Sequence, residues 1–361
     1  MSNEHIERVQ DDQVPTMRAA RLHGIRDVRL EDLPRPAPGP GEVLLHVAAV
    51  GVCGSDVHYY LDGRIGDQIV TAPIIMGHEF SARVAGFGAG VEGLEMGSLV
   101  AVDPAIPCGA CETCQLGHPN LCPDVLFCGT PPVDGVFAEY TVKPAENCFP
   151  LPDGFGPAEG AMLEPLGIAL HTVDLAHLKP GQTVAVLGAG PIGLLTAAVA
   201  RACGARAIYM TEPLAYRRRF AVDYVADAAL NPDETDVAAE ILRLTGGRGV
   251  DVAFEAAGAP DTPDQAAAVT RPGGKVIVAG ISPDDTLAFT ASPVRRKGLT
   301  IKLVRRMKHT YPRAIGLVQT GMVDVKSLVT HLLPLERIAD AFDMVAGYED
   351  GVLRAVIEVS P

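Results

Sequence analysis

Cysteine occurs only eight times in the 361-residue chain, too sparsely for the disulfide scaffold of a small secreted protein. Positive charge is also short: 30 Lys and Arg stand against 44 Asp and Glu, a formal net charge of −14. That balance argues against nucleic acid as a partner, because a phosphate backbone requires clustered cations. Residues 1–16 are polar and lack the apolar core of a secretory leader, so we expect a loose, disordered extension on a cytoplasmic protein. Residues 183–200 carry no charge and reach the threshold length for a membrane span. Three glycines and Pro191 within them favour a strand, a turn and a helix instead, and no membrane contact is expected. No internal repeat or low-complexity tract occurs.

The length suggests about two domains, and 48% hydrophobic residues supply an ample core. From Met17 to Pro152 the chain reads as short β-prone runs parted by Gly and Pro, such as 43–50, 80–87 and 99–102, which predicts an irregular, barrel-like β domain. Beyond Gly181 strands alternate with helices: strand 183–187, helix 192–202 stopped by Gly204, strand 207–211, strand 250–255 and strand 275–280. Alternation of this kind predicts a doubly wound parallel sheet, so the fold class is α/β. After Gly298 the texture is mixed again, with a late helix near 335–347, and the α/β unit is expected to be inserted within the first domain.

The few cysteines are not scattered. Cys108, Cys111, Cys114 and Cys122 form a C-x2-C-x2-C-x7-C array. Zinc has no geometric preference of its own, so four thiolates on short turn-rich spacers close a tetrahedral structural site with no open position. Two disulfides are the competing reading, and the three-residue steps suit metal better. Cys128, Cys148 and Cys203 are expected to be core thiols.

Gly188, Gly190 and Gly193 make a G-x-G-x-x-G run directly after an apolar strand, with Pro191 and Ile192 opening a helix. The first glycine allows the tight turn, the second admits a pyrophosphate, and the third permits close packing of helix on strand. Proline is tolerated in a first helical turn. Glu212 ends the next strand, where an acid hydrogen-bonds a ribose 2′-hydroxyl and repels a 2′-phosphate, pointing to NAD over NADP. Arg217, near that ribose, could soften the preference. Arg295, Arg296, Lys297, Arg305, Arg306 and Lys308 concentrate positive charge, either as a solvated edge or as a place for an anionic or hydroxyl-rich ligand near Arg306.

Cys53 and His78 each follow or precede glycine in turn-like settings, and each alone is weak evidence for a metal. A hydride-moving cofactor in the same chain raises them, since a catalytic zinc takes three protein ligands and leaves one position open. The run from Cys53 to Gly66, the Gly77-His78-Glu79 segment, the four-cysteine lobe, Glu164-Pro165-Leu166 and the glycine fingerprint together resemble the zinc-dependent medium-chain dehydrogenases, above all their polyol branch of sorbitol and xylitol dehydrogenases. The resemblance runs from Met17 to the C-terminus.

It implies a GroES-like catalytic domain over 17–165 and 299–361 holding both zincs, and a Rossmann NAD-binding domain over 166–298, with the active site in the cleft between them. It carries Cys53 and His78 over as ligands of a catalytic zinc, with Glu79 and Glu164 at or beside the metal and the direct ligand undecided between them. Ser55 and His58 fall on the proton path, Asp56 behind His78, and Tyr59 and Arg306 on the substrate side. The chain departs from the polyol pattern at Met307, where the family has a tyrosine. The implied activity is oxidation of a secondary hydroxyl of a polyol to the ketose by NAD, in a homo-oligomer, dimer or tetramer. Threonine, butanediol or aldose oxidation remains open within the same superfamily, and a non-catalytic zinc-stabilised NAD-binding protein outside it.

Overall fold

The computed structural model describes residues 15–360. Two sheets organise the chain. The first has seven strands and is largely antiparallel, in the order Cys148–Pro150, Leu99–Val102, Glu79–Phe87, Glu42–Gly51, Arg354–Glu358, Val329–Pro334, with Tyr140–Pro144 also paired to Glu42–Gly51. Its long central strand alternates little because both faces are covered: eight of its ten residues are buried. The core around it joins Leu45, Val47, Phe80, Phe137 and Phe342.

The second sheet is parallel and six-stranded, in the order Ala228–Leu230, Ala207–Thr211, Thr183–Leu187, Val250–Glu255, Thr270–Val278, Thr300–Leu303. The order reverses after Thr183–Leu187, so a crevice opens at the carboxyl ends of that strand and Val250–Glu255, the place where doubly wound sheets bind ligands. Both central strands are fully buried, and helices Leu163–Ala176, Pro191–Ala202 and Tyr311–Gln319 cover one face. Helix Pro191–Ala202 begins at Pro191 and its chain turns at Cys203 and Gly204, the latter at φ 88°.

Three expected boundaries shift. Strand Thr300–Leu303 pairs in parallel register with Lys275–Val278, so the parallel unit does not end at 298. Tyr311, Ala314, Val325 and Leu328 pack into the same core, and the chain rejoins the first sheet only at Val329. The mixed texture after Gly298 concealed this strand because an edge strand is half-exposed and polar. At the other end, Thr16 already opens the first strand, paired with Pro34; residues 1–14 of the expected extension lie outside the described residues. The boundary at 165 falls inside helix Leu163–Ala176. No helix among the described residues is long and apolar enough to cross a membrane.

Candidate active site and metal centres

The site is assembled where helix Gly54–Asp62 meets strand Glu79–Phe87. Cys53 is the extended residue before that helix, and Asp56 fastens it: one carboxylate oxygen accepts from the Cys53 N–H at 3.1 Å, as in a capping box. The other accepts from the Gly77 N–H at 3.1 Å and lies 3.5 Å from His78 Nδ1. One buried carboxylate therefore sets two segments 25 residues apart. Gly77 is required at this point, since its φ is 90° and a Cβ would press the Phe137 ring at 2.8 Å. The sulfur of Cys53, a ring nitrogen of His78 and an oxygen of Glu79 lie within 4.8 Å of one another.

These three groups fit a cation. Although burial alone would lower it, the pKa of His78 is driven well above its usual range by Asp56 and Cys53, so the pocket's field favours a positive charge. Glu79 uses one oxygen to hold Arg354, whose Nη1 donates to it at 2.8 Å and to the Val52 carbonyl at 2.7 Å. Its other oxygen, Oε1, is buried without a partner. A Cβ on Gly51 would overlap Glu79 at 2.3 Å, so glycine makes the room for that carboxylate.

Glu164 stands apart from these three. It is buried at the start of helix Leu163–Ala176 but does not share the mutual ligand spacing of the other three. Burial pushes its carboxyl up to about 8, with Glu79 and Asp103 adding to the rise and His78 opposing it. Arg354 was missed by sequence reasoning; the available signal was one arginine in the apolar run from Val352 to Ile357. Phe127 was also missed, and its ring lies 5.2 Å from that of His78.

The other predicted residues are placed as follows. Ser55 and His58, three apart on the helix, share a face. His58 Nδ1 is 3.5 Å from Asp62, and His58 lines a crevice of about 300 Å³ opposite Ser282 and Asp284 of the parallel unit. Tyr59 is buried, its hydroxyl donating to Gln68 at 3.3 Å. Arg306 stacks on Phe127, the guanidinium 4.0 Å from the ring centre. Met307 packs against Gly167 in the core.

In the four-cysteine lobe all sulfurs lie within 4.8 Å of one another. A tetrahedral zinc with its usual Zn–S bond sets sulfurs about 3.8 Å apart, and the Cys111 and Cys122 sulfurs are at 3.9 Å. The Cys108 N–H points at the Cys122 sulfur and the Cys111 N–H at the Cys108 sulfur, at 3.4 and 3.3 Å. The Thr113 hydroxyl and the Cys114 N–H pull the Cys111 thiol down to about 6. Donors aimed at sulfur favour thiolates, which suits a metal. All eight cysteines are free thiols, which removes the disulfide reading.

At the glycine loop, Gly188 has φ 102°, and a Cβ on Gly193 would meet the Gly188 carbonyl oxygen at 2.0 Å. Gly190 has no such obstruction; the nearest atom to its virtual Cβ is Arg217 Nη1, at 3.7 Å. That open space beside a cation at a helix N-terminus fits a pyrophosphate. Glu212 is buried and accepts from the Ala189 and Leu214 N–H groups at 3.0 and 3.1 Å, and a carboxylate retains acceptor sites beyond those two.

Comparison with known proteins decides the family. Residues 39–153 match the alcohol dehydrogenase GroES-like domain and residues 191–320 the zinc-binding dehydrogenase model. The chain belongs to the zinc-binding dehydrogenases. It is 38% identical to the sorbitol dehydrogenase of Bacillus subtilis over 94% of this chain and 97% of that one. It is 40% identical to the probable D-xylulose reductase A of Aspergillus fumigatus over 90% and 92%. Its fold matches the crystal structure of 2R,3R-butanediol dehydrogenase from Bacillus subtilis with a TM-score of 0.86 at 34% identity, covering 95% of this chain and all of that one.

Proposed function

We propose that the protein is an NAD-dependent polyol dehydrogenase that oxidises a secondary hydroxyl to a ketone. The observation that carries this reading is the cluster of half-buried Cys53 with buried His78 and Glu79, with one carboxylate oxygen of Glu79 unpaired, in a chain whose relatives include a sorbitol dehydrogenase and a xylulose reductase. Cys53, His78 and Glu79 hold the catalytic zinc, with Glu164 beside it, while Cys108, Cys111, Cys114 and Cys122 hold the structural one. Catalytic zinc held there would supply Lewis acidity toward a substrate hydroxyl, and NAD held at the glycine loop would supply a hydride acceptor.

The chain's own residues do the rest. Gly188, Gly190, Pro191, Ile192 and Gly193 turn the backbone so that the helix N-terminus faces the pyrophosphate, and Arg217 adds a charge there. Glu212 orients the adenosine ribose and disfavours a 2′-phosphate. Asp56 holds Cys53 and His78 in register. Ser55 takes the hydroxyl proton and passes it to His58, which opens onto the crevice and water. Tyr59 and Arg306 bound the substrate side. The surroundings are a cytoplasmic homo-oligomer, dimer or tetramer.

The test follows NADH absorbance with sorbitol, xylitol, threonine, 2,3-butanediol and glucose, before and after chelation. Chelator-sensitive turnover of a polyol is expected. Turnover of threonine with silence on every polyol would overturn the substrate class, and tight NAD binding with no turnover at all would favour a non-catalytic zinc protein.

A further inference from the structure

Beyond strand Thr300–Leu303 the chain runs irregularly to helix Tyr311–Gln319. The Val304 N–H still donates to the Val278 carbonyl at 2.8 Å. Over residues 305–309 the backbone then makes a single hydrogen bond among the described residues: the Asn120 side-chain amide donates to the Arg305 carbonyl at 2.9 Å. The nitrogen of that peptide unit belongs to Arg306, whose φ of 54° is left-handed. A residue with a Cβ disfavours this conformation and keeps it only where its surroundings impose it. Because φ is the rotation next to the peptide plane that Asn120 holds, the contact bears directly on where the Arg306 side chain leaves the backbone.

Asn120 belongs to the four-cysteine lobe. It is buried in the turn Pro119–Leu121, two residues before Cys122. Its Oδ1 has no partner, and Nδ2 crosses to Arg305. Burying an amide with one atom unpaired is unfavourable in itself, and no side-chain hydrogen bond of Asn120 within the lobe offsets it among the described residues. From the start of the same turn, His118 Nδ1 lies 3.2 Å from Lys308 Nζ, a second tie to the segment. Phe127, in strand Leu126–Phe127, supports the Arg306 guanidinium at 4.0 Å and stands 5.2 Å from the His78 ring. The Arg306 head group is thus held twice, through the backbone by Asn120 and through the ring by Phe127.

We propose that Asn120 is a positioning residue for substrate: it sets the Arg306 guanidinium on Phe127, so that the four-cysteine lobe governs polyol affinity as well as local folding. The inference rests on the reading of the Cys53 site as one that oxidises polyols with Arg306 on the substrate side, and it adds the residue that places Arg306 there.

The test uses the zinc-loaded full chain with sorbitol and xylitol. We would measure kcat, KM for polyol, KM for NAD and zinc content for the wild type, N120A, R306A and the double variant. N120L, close to asparagine in shape but without a donor, runs alongside in case the smaller residue loosens the lobe. Both Asn120 variants should raise the polyol KM about tenfold, the factor carried by one lost hydrogen bond. The change in kcat should stay below about threefold, with KM for NAD and zinc content unchanged. In the R306A background, N120A should add nothing further, because it acts through that side chain. A wild-type polyol KM in both Asn120 variants would overturn the proposal, and so would effects that multiply in the double variant. Loss of zinc from N120L as well as N120A would assign Asn120 to the lobe's fold and also overturn it. A second readout is the NMR resonance of the Arg306 Nε–H, displaced by the Phe127 ring and identified by its loss in R306A. It should move in both Asn120 variants, and an unmoved resonance would refute the placement. If the wild type turns over no polyol, the polyol-oxidising reading fails, and this resonance still decides whether Asn120 sets Arg306.

Discussion

Asp56 accepts from the Cys53 and Gly77 N–H groups and faces His78, so a single side chain sets both of the metal-facing residues. Their own removal is a chemical matter more than a packing one. Cys53→Ser should lower kcat/KM by a factor on the order of 10³ and halve the zinc content, with little change in melting temperature, because a hydroxyl replaces a thiolate in nearly the same volume. Retained activity with normal metal content would remove Cys53 from the catalytic centre. Glu212→Ala should have two separable effects. The preference for NAD over NADP should fall by about 10–100-fold. Independently, the Ala189 and Leu214 N–H groups lose their acceptor, which should cost about 1–3 kcal/mol in chemical denaturation. Arg354 and Glu79 form an ion pair in which both side chains are almost wholly buried. Arg354→Met leaves the carboxylate unpaired, and the expected loss is about 3–5 kcal/mol; a wild-type denaturation curve would show that the pair carries no such weight.

Strand Val250–Glu255 shows how an element is anchored by a charge its sequence did not advertise. Asp251 accepts from the Thr183 N–H of the adjacent strand at 3.0 Å, and from Arg248 and Arg271 at 2.6 and 2.8 Å. Burial would raise its carboxyl, but Arg248, the Thr183 N–H and Arg271 together hold it far below the usual range. A carboxyl whose pKa is lower folded than unfolded adds stability above the unfolded value, and that stability is lost as pH falls through the folded one. The wild type should therefore lose stability progressively below about pH 4, and Asp251→Asn should flatten that slope while costing about 2–4 kcal/mol at pH 7. An unaltered slope would assign the acid sensitivity to other groups. Positive charge in helix Ala291–Lys297 has a comparable structural use: Lys297 donates to the carbonyls of Ala267, Ala268 and Thr270. It thereby satisfies the C-terminal end of helix Thr262–Val269. The solvated-edge reading of the basic run holds for neither Lys297 nor Arg306.

Across the whole molecule the two sheets are joined by a few polar ties as well as by packing. Tyr311, in the helix after the last parallel strand, is fully buried and donates to the Val102 carbonyl of the first sheet at 2.6 Å. Tyr216 and Arg217 both donate to the Val352 carbonyl, at 2.9 and 3.3 Å, and Arg217 lies 4.9 Å from the Tyr348 ring. Arg217, beside Gly190, therefore couples the glycine loop to the returning segment. Tyr311→Phe leaves a buried carbonyl unpaired with shape unchanged, so a loss of about 1–3 kcal/mol is expected. A variant as stable as the wild type would mean that stacking on Phe149, at 4.7 Å, holds this contact alone.

How much of this was legible beforehand depended on whether the signal was local. The strand, glycine turn, helix and acid from Thr183 to Glu212 could be read in order because turn geometry and helix packing restrict residue choice over a few positions. The four-cysteine lobe was legible for the same reason: its ligands share one short loop. The amino-acid sequence by itself thus determined two modules, a four-cysteine array and a dinucleotide fingerprint. Only the tertiary structure decided that Thr300–Leu303 completes the parallel sheet and that Glu79, not Glu164, groups with Cys53 and His78 within 4.8 Å. It also decided that Arg354, 275 residues from Glu79, neutralises that carboxylate, and that Phe127 carries Arg306. Each of these depends on groups brought together from distant parts of the chain, where the free energy comes from burial and charge pairing that no neighbouring residue records.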